Sequence, residues 1–85
     1  MIQTLLLFIL NAHGAVSGIS ISYIPDDRAD CWDVGERTAH ITTEQTGRDT
    51  MPECRDRVDV QQLMELYECV PDSNGDLLCS GRYKP

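Results

Sequence analysis

Three side chains in this 85-residue chain have the types that acid–base chemistry uses: His40, Glu44 and Arg48. An imidazole and a carboxylate can exchange a proton, and a guanidinium can steady an anion. Their spacing, i, i+4 and i+8, converges only on a helix. The surrounding "RTAHITT" instead alternates Ala39 and Ile41 with Thr38, His40 and Thr42, a strand pattern. On that reading the three do not meet. Asp72, Asn74 and Asp76 alternate like the start of a calcium loop, but the Gly and Glu that such a loop needs at its sixth and twelfth positions are here Leu77 and Tyr83. Four cysteines, Cys31, Cys54, Cys69 and Cys79, contain no CxxC pair, and zinc sites usually show close ligand pairs. The expectation is therefore no catalytic, cofactor-binding or metal-binding residue, with the cysteines used for two disulfides.

Disulfides imply an oxidising compartment, which turns attention to the N-terminus. Residues 1–18 contain no charged side chain, whereas all 14 Asp and Glu and all 7 Lys and Arg lie from Asp26 onward. The run Leu5-Leu6-Leu7-Phe8-Ile9-Leu10 is too short to span a bilayer, which takes about 20 apolar residues. A short apolar run followed by small residues fits a secretory signal peptide, cut after Ser17 or Gly18. Residues 19–85 then form one domain, too small to be secure without disulfides. The formal net charge of −7 disfavours nucleic acid and anionic lipid as partners.

Within that domain, "ISISYI" alternates Ile19, Ile21 and Tyr23 with serines and reads as a strand near 19–24. The loop "PDDRAD" follows it, leading to Cys31 and to Trp32, the sole tryptophan, taken as a core or disulfide-packing residue, with a surface anchor as the alternative. Gly35 breaks the next stretch, and a second strand is expected near 38–43. "TMPE" at 50–53 has capping-box spacing, with Asp59 as a second candidate helix start. Val60, Leu63, Met64 and Tyr67 make one helical stripe, so a helix is expected near 59–68.

A C-terminal hairpin near 69–80 follows from Asn74-Gly75. A three-residue loop Ser73-Asn74-Gly75, with Gly75 left-handed, sets Cys69 opposite Cys79, and Pro71 places the first hairpin strand at a sheet edge. The fold class expected is α+β: a short antiparallel sheet with one covering helix and the hairpin, and Ile21, Tyr23, Ile41, Val60, Leu63, Met64 and Leu78 in the core. A helix over 51–68 would hold Cys54 and Cys69 about 22 Å apart, beyond disulfide reach, which disfavours that pair unless the helix starts only at Asp59. That leaves Cys31–Cys54 with Cys69–Cys79, slightly favoured, or Cys31–Cys69 with Cys54–Cys79.

An apolar leader, a short following chain, four spaced cysteines and no catalytic signature together resemble the small secreted cysteine-containing proteins of filamentous fungi, many of them effector or virulence candidates. The resemblance covers the whole chain and implies an extracellular role, exercised by binding a protein of a host or competitor. The function expected is a monomeric, non-enzymatic binding protein. The alternatives are a secreted hydrolase inhibitor, or a ribonuclease-like enzyme of the small secreted fungal type, which also uses His, Glu and Arg but more than one histidine. The candidate partner surface is the hairpin tip Asp72-Ser73-Asn74-Gly75-Asp76 with Arg82 and Tyr83 beside it. The first strand, as an exposed edge, is a second candidate.

Overall fold

The computed structural model describes residues 2–25 and 30–82. The chain is α+β: β1 (Ile2–Leu10), β2 (Val16–Pro25), α1 (Cys31–Thr46), β3 (Thr50–Arg55), α2 (Val60–Tyr67), β4 (Cys69–Pro71) and β5 (Leu77–Cys79). The strands form one antiparallel sheet in the order β3-β1-β2-β5-β4.

β1 is internal and covered on both faces. Leu5 and Leu7 pack with Cys31 and Ala39 of α1 on one side, while Leu6 and Phe8 pack with Ile19, Leu63, Cys69 and Leu77 on the other. A strand buried on both faces needs an uninterrupted apolar run rather than an alternating one. The run Leu5–Leu10 therefore has the composition of a leader and of a central strand alike. In one molecule the two fates exclude each other: a chain cut after Ser17 or Gly18 has no β1, and β3, whose ladder is made with β1, loses its strand partner and is left tied to α1 by one disulfide. The turn after β1 is built by Asn11, whose side-chain oxygen accepts the amides of His13 (2.9 Å) and Ala15 (3.1 Å).

The strand expected near 38–43 is instead part of α1. Asp30 caps this helix by accepting the Trp32 amide at 3.0 Å, and Gly47, at φ 71°, closes it. Its inner face carries Cys31, Gly35 and Ala39, small residues four apart that bring the helix close to the sheet. A Cβ on Gly35 would lie 2.8 Å from Leu5 Cδ1 and 3.0 Å from Pro52 Cβ. Gly35 is thus a packing residue, not a breaker. Tertiary contact overrides the β-propensity of Ile41, Thr42 and Thr43, and Ile41 is exposed. "TMPE" opens no helix either, since Thr50–Arg55 pair with β1.

The second helix begins at the other candidate start, with Asp59 accepting the Gln62 amide at 3.2 Å. Leu63 is buried, and Val60, Met64 and Tyr67 are partly buried against the same cluster. The hairpin has the expected register: Cys69 pairs with Cys79, and Gly75 has φ 84°. Both disulfides follow the favoured pairing, Cys31–Cys54 and Cys69–Cys79. From the expected core, Tyr23 and Leu78 are exposed instead. Tyr23 lies beyond the reach of β5, and Leu78 shares a sheet face with Val70 that α1 does not cover.

The helices lie on opposite faces and over opposite halves of the sheet. α1 packs on β3 and β1, α2 on β4 and β5. Two quadrants of sheet remain open as a result.

Candidate functional site

The acid–base trio divides. His40 Nε2 and Glu44 Oε1 lie 3.0 Å apart, because the segment is helical after all and i, i+4 side chains meet. Both are exposed, one turn beyond the Arg37–Asp33 pair on the same helix. Arg48 follows the left-handed Gly47, so it leaves the helix and joins Asp49 and the Asn11–Gly14 turn around a separate depression.

The hairpin tip is largely occupied in building itself. Asp72 Oδ1 accepts the amides of Asn74 (2.8 Å) and Asp76 (3.0 Å). Asp76 Oδ1 accepts the Ile21 amide at 3.2 Å. Only Ser73, Asn74 and Gly75 present exposed groups without such a task. Arg82 is not beside the tip: β5 runs away from it, and Arg82 lies with Gly14, Ala15 and Val16 near the β1–β2 turn. Tyr83 lies outside the described residues.

The first strand is no open edge, since β2 lies between β1 and β5. β5 covers only Gly18 and Ile19, yet Asp76 occupies the next outward amide, at Ile21, and Pro25 has no amide to offer, so Tyr23 is the one outward position of this stretch that neither blunts. The true edges, β3 and β4, are blunted in the same way. The Leu10-to-Asp49 and Asp72-to-Asp76 backbone bonds set which residues face inward in each ladder. By that alternation Pro52 and Pro71 face outward, so each edge lacks a donor at that position.

The surface that does present apolar side chains is one of the open quadrants, on the α2 face beside β3. Phe8, Leu10 and Val16 form its floor, Met51 and Glu53 one wall and Tyr67 the other, with Trp32 and Pro52, which belong to the α1 side, reaching it at the outer edge of β3. This trough, about 390 Å³, continues past Val16 and Tyr67 into a second depression of about 320 Å³ that reaches Leu66 and Arg82. Trp32 is 50% exposed, Met51 57% and Leu66 59%. Phe8 and Tyr67 fix each other, ring centroids 5.7 Å apart and tilted by 58°.

No protein family, curated protein or solved structure matches this chain.

Sequence reasoning placed Trp32 inside because it adjoins Cys31. On a helix the next residue turns by about 100°, so Cys31 points wholly inward and Trp32 to the rim. The signal that could have found it is the Asp30 cap, which makes Trp32 a first-turn helical residue.

Proposed function

We propose that this chain is a small, disulfide-stabilised protein that works outside the producing cell by binding another protein, in the manner of an effector acting on a host or competitor, with no chemistry of its own. The observation that carries this reading is the trough: an exposed tryptophan from α1, an exposed methionine from β3 and a tyrosine from α2 gathered around one floor of the sheet. Contiguous exposed apolar surface on a small protein marks interaction sites, and tryptophan and tyrosine are the side chains that dominate binding energy. The two disulfides fit an oxidising setting. Cys31–Cys54 ties the Trp32 end of α1 to β3, so part of the ordering entropy is met before the partner arrives. The separation of Arg48 from His40 and Glu44 favours binding over the ribonuclease-like alternative. The tightly closed hairpin tip does the same against the inhibitor alternative, since inhibitors present an extended loop.

Affinity capture from host extract with the oxidised chain, run beside Met51→Asp, tests the proposal. A stable partner retained by the wild type and lost by the variant supports it. Substrate turnover that requires His40 would replace it with an enzyme.

A further inference from the structure

We propose that the trough takes an extended, proline-containing segment of the partner in the polyproline II conformation, with an Arg or Lys at the Trp32 end; this rests on the binding-protein reading above. Three features select that occupant. First, Pro52 removes the middle one of the three outward donor positions of β3, Thr50, Pro52 and Cys54, so a partner strand added there would lack a ladder bond where the trough opens. Second, the walls are aromatic and soft: Trp32, at the outer edge of β3, borders the same space as Tyr67, with Met51 between. Aromatic-lined grooves accept the ridges of a polyproline II helix, whose carbonyls make no internal bonds and take donors from the groove. The Trp32 indole N–H has no hydrogen-bond partner among the described residues and is half exposed, which makes it such a donor. Third, charge is complementary at that end. Asp33 and Glu53 are matched by Arg37 and Arg55, and Glu36, one turn from Trp32, has no ion-pair partner among the described residues. On a chain of net charge −7 this corner favours a cationic neighbour.

The test is ¹H–¹⁵N NMR titration of the oxidised full chain with four short capped peptides: a proline-rich one with a terminal Arg, the same with Glu replacing Arg, an amphipathic helical one and an alternating Val/Thr strand-former. Saturable shifts at the Trp32 indole, Met51 and Tyr67 with the Arg peptide are expected, weaker by roughly fivefold with the Glu peptide. Met51→Asp should abolish them while leaving the remaining spectrum folded, because Met51 is largely exposed. Trough shifts with the helical or strand peptide but not with the proline-rich one would overturn this inference and leave the binding-protein reading standing. A captured partner whose retention ignores Met51→Asp would overturn both. Equal binding of the Arg and Glu peptides would overturn the assignment of the cationic end.

Discussion

The Asp76 carboxylate accepts the Ile21 amide at 3.2 Å, taking over the β2 ladder where β5 stops. One side chain thereby closes the first position of β2 beyond β5; the amide of Tyr23, two residues on, faces the same way and is not covered by it. Asp76→Ala should lower stability by about 1 kcal/mol through the lost bond and expose an amide beside Tyr23, so that sedimentation shows concentration-dependent self-association. Asp76→Asn keeps an accepting oxygen and should behave like the wild type. A monomeric, undiminished Asp76→Ala would show that the bond does no sealing.

Gly35→Ala sets two effects against each other. Alanine favours a helix interior by about 1 kcal/mol over glycine. The added methyl, however, would meet Leu5 and Pro52 at 3.0 Å or less, and overpacking costs about 1–3 kcal/mol. The second effect wins, and a lower urea midpoint is expected, with near-ultraviolet dichroism of Trp32 altered as α1 shifts outward.

The two disulfides should contribute unequally. Cys31–Cys54 closes 23 residues and Cys69–Cys79 closes 10. Loop-closure entropy gives about 3.4 and 2.7 kcal/mol respectively. Paired alanine substitutions, compared by denaturant unfolding, should therefore cost more at 31 and 54. Cys31 is also wholly buried.

The fate of residues 1–18 is open to a direct measurement. Oxidised 1–85 should unfold cooperatively. Oxidised 19–85, lacking β1 and with it Leu6 and Phe8, should show no cooperative transition. The intact mass of the exported chain then tells which of these is the working form: a product beginning at Ile19 would mean that the active molecule has a different fold, and one retaining β1 that export proceeds without that cut.

What was legible in the sequence was what neighbours along the chain decide. Gly75 in a three-residue loop is a local matter, and it set the register that joins Cys69 to Cys79. The stripe Val60, Leu63, Met64 and Tyr67 repeats at helical spacing within eight residues, so α2 was readable. β1 was not, because an apolar run carries no period to separate a leader from a strand covered on both faces. α1 was not, because its support is remote: a disulfide to Cys54 and a glycine fitted against Leu5 and Pro52. The trough was invisible for the same reason, being assembled from β1, β2, β3 and both helices.

The place of β1 between a near partner and a far one also orders events during synthesis. β2 follows β1 after a short turn, so that hairpin can close as soon as it leaves the ribosome. β3 is made only after the whole of α1. In the interval the nascent hairpin displays Leu5 and Leu7 on one side, Leu6 and Phe8 on the other, and an unpaired ladder along β1. Such a species is prone to aggregate, and the delay lasts for as long as translation takes to deliver Thr50–Arg55. The length of α1 thus fixes how much chain must be made before β1 gains its second strand partner.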